Sequence, residues 1–328
     1  MCLTRRLIVL CFSCALPWVM QVSSAVDVVS SASPASRVSM PPPDSEGTTS
    51  TLEVGDARVH LFIEGRPFER TQQELQDWVQ HSAEIVTQYY GGFPVAEAWV
   101  ALRGARGSRV MNGRADGYAG AVINVDVGLS ATPEALTDDW ILVHELIHFA
   151  FPSVPRRHHW LEEGLSVYVE SIARANAGDL SADAVWTGFL DGMPRGLPRA
   201  GDKGLDYTPT WGRTYWGGAL FCLLADIHIR QQTDGRKSLR DALRAIVAAG
   251  YDMTRPGDIR DVLTVADRAT GVTVLLDLYD EMRDQPVPAE IDSLWAELGV
   301  AERDGIIVYD DAAPQAGIRR ALTQRLDL

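Results

Sequence analysis

The segment His144-Glu145-Leu146-Ile147-His148 constrains the chain most, because its chemistry requires a helix. At i, i+4 spacing both imidazoles lie on one helical face, where their nitrogens can share one zinc ion while Glu145 leans toward a water beside it. The plainer alternative is two partly buried histidines and a surface glutamate on an ordinary helix. Cysteine cannot assist. Of four cysteines in 328 residues, Cys2, Cys11 and Cys14 fall within the first fourteen positions and leave Cys222 alone. Neither a disulfide framework nor a multi-cysteine metal site can be built, so any metal rests on histidine and carboxylate.

The N-terminal stretch reads as targeting rather than fold. Arg5 and Arg6 precede a mostly apolar run over 7–22, and Ser23-Ser24-Ala25 supplies the small residues of a cleavage site. A signal peptide over 1–25 is expected, with a secreted or periplasmic mature chain. Cys14 leaves a lipid anchor open. Residues 26–50, rich in Ser, Pro, Val and Ala around Pro41-Pro42-Pro43, read as a tether, so the folded part spans 51–328. No later segment is long and apolar enough to cross a membrane. The formal charge is -14, and losing a leader that carries Arg5 and Arg6 but no acid takes it to -16. That balance disfavours nucleic acid as a partner.

Apolar periodicity places a strand over 58–64, a helix over 69–90 ended by Gly91-Gly92, and strands over 96–102 and 121–127, with a Gly- and Arg-rich loop over 103–117 between them. Thr132 and Pro133 suit the start of a helix running to Phe151. A second helix is expected over 160–177, closed by Gly178. Further helices are expected over 182–190, 215–230, 238–249, 259–269, 272–282, 288–298 and 315–326, with a short strand over 306–309. The fold class is therefore α+β and two-lobed: a mixed α/β lobe over 51–150 ending in the histidine helix, and a mainly helical lobe over 151–328.

A catalytic zinc site needs a third protein ligand and an open position for water. The segment from Trp160 to Glu170 offers carboxylates on a second helix after a turn containing Pro152 and Pro155. Glu163, fifteen positions after His148, is the choice for that ligand. Glu170 lies two turns later on the same face and is expected to accept from an imidazole N–H. Glu162 reads as a solvated acid. His158 and His159 read as exposed turn histidines, with contact to metal or substrate as the alternative; His228 reads as a helix surface or core histidine, and His60 and His81 show no partner pattern. Trp140, Trp160, Trp186, Trp211 and Trp216 read as core or as the lining of an apolar cleft.

His144-Glu145-x-x-His148, followed by Leu161-Glu162-Glu163-Gly164 and Tyr168-Val169-Glu170, resembles the ligand helix pair of the gluzincin metallopeptidases, of the aminopeptidase N and glycyl aminopeptidase type. The resemblance implies a thermolysin-like fold, zinc on His144, His148 and Glu163, and Glu145 as general base and acid. Fourteen residues separate His148 from Glu163, a shorter connector than in that family. Thr214-Tyr215-Trp216-Gly217-Gly218 resembles the helix start that carries the family's oxyanion-stabilising tyrosine, which implies that role for Tyr215; Gly217 stands where the family usually has lysine. Gly120-Ala121-Val122-Ile123-Asn124 resembles the edge-strand motif Gly-x-Met-Glu-Asn, which implies that Gly120 and Ala121 border an extended peptide. Ile123 replaces the glutamate that grips a substrate's free α-amine. That departure favours an endopeptidase or a narrow-specificity peptidase, with an aminopeptidase and a non-catalytic peptide-binding protein of the envelope as alternatives. The substrate implied is a peptide or protein.

Overall fold

The computed structural model describes residues 46–326; the expected signal peptide and most of the expected tether lie outside the described residues. A five-stranded sheet is built from β1 (Gly47–Val54), β2 (Ala57–Glu64), β3 (Glu97–Ala105), β4 (Val110–Asp116) and β5 (Ala121–Gly128), in the order β1-β2-β3-β5-β4. β2, β3 and β5 are mutually parallel, and the two outer strands run antiparallel to their neighbours. β5 reads Ala-Val-Ile-Asn-Val-Asp-Val-Gly and is buried along almost its whole length, as befits a strand covered on both faces.

Two strands depart from the sequence reading. β1 begins at Gly47, so residues 47–50 belong to the sheet rather than to a tether. β4 occupies the stretch expected to be a loop. Its composition, Val-Met-Asn-Gly-Arg-Ala-Asp, lacks the alternation of a half-buried strand, and neither of its faces carries a fully buried residue.

α1 (Gln72–Tyr90) starts from a capping box made by Thr71 and Glu74 and ends on left-handed Gly91. The single helix expected over 132–151 is divided. Thr132 and Pro133 open a short α2 (Pro133–Thr137); the chain then breaks and restarts as α3 (Ile141–Ile147), with one 3-10 turn over His148–Ala150. Asp139 causes the restart. Its two carboxylate oxygens accept from the backbone N–H groups of Ile141 (3.0 Å) and Leu142 (2.9 Å), the first two residues of α3, and so satisfy two donors that a helix start leaves unpaired.

The helical lobe comprises α4 (His159–Ala177), α5 (Ala182–Gly192), α6 (Gly218–Gln232), α7 (Leu239–Ala248), α8 (Ile259–Thr270), α9 (Val274–Met282), α10 (Ile291–Leu298) and α11 (Ala316–Thr323). A hairpin of β6 (Val300–Arg303) and β7 (Ile306–Tyr309) turns on Asp304-Gly305, both at positive φ. One apolar core runs from the sheet, through Val59, Val100 and Ile123, to α4 and α6, through Tyr168, Leu220 and Leu223. α7 is tied back to α1 by Arg244, whose guanidinium donates to the last carbonyls of that helix, on Gln88 and Tyr89, at 2.8 Å each. No helix among the described residues is long and apolar enough to cross a membrane.

Candidate functional site

α3 and α4 place three ligand atoms together. Glu163 Oε2 lies 3.3 Å from His144 Nε2 and 3.7 Å from His148 Nε2, and ligand atoms of the three residues all fall within 4.8 Å of one another. His144 and Glu163 are buried, at 4% and 9% exposure. Two nitrogens and one carboxylate oxygen form the donor set that a zinc ion takes in hydrolytic sites.

Protonation agrees with that fit. Burial, reinforced by His144, pushes His148 down to about 3, which leaves the neutral imidazole a metal requires. Burial works to raise the Glu163 carboxyl, but hydrogen bonds with His144 and His159 hold it well below the usual range. Nδ1 of His144 is buried without a hydrogen-bond partner, so its tautomer is set by whatever Nε2 meets.

The supporting contacts differ from expectation at Glu170. Its carboxylate accepts from Arg174 and from Ser171, each at 2.9 Å, and from neither imidazole. Seven residues along α4 from Glu163 amount to about 10 Å, which carries Glu170 past the histidines. Arg174 in turn reaches the Thr137 carbonyl at 3.2 Å. The contact to His148 Nδ1 comes instead from Ser166 Oγ at 3.3 Å, one turn after Glu163.

His159, in the first turn of α4, also belongs to the site. Nε2 lies 3.2 Å from Glu163 Oε1 and Nδ1 lies 2.8 Å from Glu162 Oε2. Hydrogen bonds to both carboxylates raise its pKa to about 9. His158 points away, buried against Asp206 at 2.9 Å beside Trp160, whose indole N–H donates to the same carboxylate. His60 and His81 are paired elsewhere, with Glu97 and Asp179.

Glu145 and Tyr215 line the same cleft of about 820 Å³ as the three candidate ligands. Burial, with the charge of Glu163, pushes the Glu145 carboxyl up to about 7 against the pull of His144 and of the Ala115 backbone N–H. Tyr215 sits in a π-helical turn, Gly212–Gly217, ahead of α6, rather than in an α-helical first turn. Its hydroxyl is raised by burial, by Glu163 and Glu145, and by a hydrogen bond to Glu163. Trp211 stacks on its ring at 6.0 Å. Arg213 anchors the turn through Asp202 (2.8 Å) and the Gly196 carbonyl. Gly217 is explained by packing, since a β-carbon there would lie 2.8 Å from Leu205 Cδ2.

Glycines also set the spacing of the two helices that carry Glu163 and Tyr215. A β-carbon on Gly164 would lie 2.2 Å from the Gly218 Cα, and one on Gly218 would lie 2.0 Å from the Trp160 carbonyl oxygen. Gly164→Ala is therefore expected to destabilise the fold by at least the upper end of the about 1–3 kcal/mol typical of overpacking. Chemical denaturation measures this directly.

The cleft border lies elsewhere than Gly120 and Ala121. β5 is internal to the sheet, Ala121 pairs with Ala98, Ile123 is fully buried, and neither Gly120 nor Ala121 lines the cleft. The edge strand is β4. It crosses α3 at Gly113, where a β-carbon would lie 2.6 Å from Glu145 Cγ and 2.5 Å from Ile141 Cγ2. Asp116 brings a carboxylate into the cleft near the strand's end, with Oδ1 accepting from the Tyr118 N–H at 2.8 Å. Beyond it, Gly117 lies against the Met253 backbone, and residues 253–256 join the cleft lining. Of the tryptophans, Trp160 and Trp186 are core, while Trp140 lines the cleft edge-on to His144.

No protein-family model matches the chain, and neither does any curated protein. Solved structures do. An aminopeptidase N family protein from Idiomarina loihiensis superposes with a TM-score of 0.59 at 12% identity, over 77% of this chain and 49% of that one. A variant of an M1 zinc metallopeptidase from Deinococcus radiodurans, bound to a Tyr-Ser-Ala substrate, gives 0.50 at 18% identity, over 74% of this chain and 53% of that one. The shared property is the fold. A mixed α/β lobe leads into a mainly helical lobe in each case, and this chain spans about half the length of the structures it matches.

Proposed function

We propose that this chain is a zinc-dependent peptidase of the gluzincin superfamily, hydrolysing peptide bonds without a covalent intermediate. The observation that carries this reading is the convergence of His144, His148 and Glu163 in one cleft with Glu145 and Tyr215. His144, His148 and Glu163 would hold the ion. Zinc bound there supplies Lewis acidity toward water and the scissile carbonyl. Glu145 takes the proton of the attacking water and passes it to the leaving amine, a task suited to a carboxyl poised near neutrality. The Tyr215 hydroxyl donates to the oxyanion that develops on the carbonyl. The free edge of β4 receives the peptide as an added strand.

Asp116 supports a second, narrower reading. The preference for an endopeptidase rests on Ile123, and Ile123 is buried inside the sheet. A carboxylate lining the cleft where β4 ends suits a substrate's α-ammonium group, and so favours an aminopeptidase. Metal analysis of the purified chain, together with cleavage profiling on peptides with free and blocked N-termini, tests both readings. Absence of zinc overturns the first. The second expects faster cleavage of free-amine peptides, and equal rates on both sets return the preference to an endopeptidase.

A further inference from the structure

We propose that His159 is a positioning residue that holds one oxygen of Glu163 and so reserves the other for the metal. This rests on the reading of His144, His148 and Glu163 as the zinc ligands.

The geometry divides the Glu163 carboxylate in two. Oε2 faces His144 Nε2 and His148 Nε2, whereas Oε1 faces His159 Nε2 at 3.2 Å. His159 lies one turn before Glu163 on the same helix face, the spacing at which side chains meet. Its other nitrogen, Nδ1, is fixed on Glu162 Oε2 at 2.8 Å. Glu162 is itself held, because Oε1 accepts the Val154 backbone N–H at 3.3 Å. A chain of contacts thus runs from the connector after His148, through Glu162 and His159, to the far oxygen of Glu163.

The consequence is a limit on coordination. A carboxylate free to rotate can present both oxygens to a metal and occupy two positions. With Oε1 bound to His159, Glu163 offers Oε2 alone, so two histidines and one oxygen leave the fourth position of a tetrahedral site for water. The partners of a ligand orient it and are worth about 10–100-fold in metal affinity. His159 is half exposed, with 48% of its side-chain surface accessible, so replacing it removes the contact without opening the core.

The test uses the full mature chain. Zinc affinity by chelator competition and the visible spectrum of the cobalt-loaded protein are compared for the parent, His159→Ala and His159→Gln. His159→Ala is expected to bind zinc about 10–100-fold more weakly, with cobalt bands weakened toward those of a five-coordinate ion. His159→Gln, which can still donate to Glu163, is expected to recover part of both. Unchanged affinity and an unchanged cobalt spectrum in His159→Ala would overturn the role of His159. A parent protein that binds neither ion would overturn the metal site itself, which is a separate result.

Discussion

Replacing Glu145 by glutamine is expected to leave zinc bound and to lower kcat by about 10²–10⁴-fold, the usual contribution of a positioned general base. The amide has nearly the same shape and keeps an acceptor for the Ala115 N–H, so the packing of β4 over α3 at Gly113 should survive. It cannot take a proton. The carboxyl it replaces is pushed up to about 7 by burial, which equips it both to accept a proton from water and to release one to a leaving amine near neutral pH. Steady-state kinetics on a cleaved peptide, alongside zinc stoichiometry, check the expectation. Full activity in Glu145→Gln would remove Glu145 from the mechanism.

Glu163→Ala is expected to act on the metal rather than on the proton. The carboxylate is the sole acid in the three-residue cluster, and its loss leaves two imidazoles with no anionic partner. Zinc affinity should fall by more than the about 10–100-fold associated with residues that only support a ligand, and turnover should fall with it. Competition against a chelator of known affinity measures the first effect. Undiminished zinc stoichiometry in this variant would assign the third ligand to another residue.

Much of the site was legible because helical spacing is a strong local signal. His144 and His148 four apart, Glu163 in the first turns of the next helix, and the Gly91 and Gly178 stops all follow from residue type and period. What escaped depended on tertiary neighbours. β4 reads as a loop, because a Gly-Arg-Ala-Asp segment acquires strand character only from pairing with β5 along one edge. The resemblance of Gly120-Ala121-Val122-Ile123-Asn124 to an edge-strand motif put the cleft border at Gly120 and Ala121 and Ile123 in the place of an amine-binding glutamate, whereas β5 is internal to the sheet and Ile123 is buried in it. Ser166 carried no signal, since a serine on an apolar helix face looks like any small core residue until His148 Nδ1 lies across from it. The role of Asp139 was closer to hand. An acid two residues before an apolar helical run is a start signal, and reading it would have divided the helix over 132–151 correctly. The Asp304-Gly305 turn likewise announced a partner strand for 306–309.

The glycine contact between α4 and α6 bears on motion as well as on packing. Where side chains separate two helices, the layer between them can shear by repacking. Here backbone meets backbone at Gly164 and Gly218, so no such layer exists at that crossing. Sliding of α4 past α6 is therefore resisted at this crossing, which lies next to Glu163 and three residues after Tyr215. The end of β4 is held in the same way, with Gly117 resting on the Met253 backbone and Gly113 on α3, so the strand that borders the cleft is fixed at two points by the absence of a side chain.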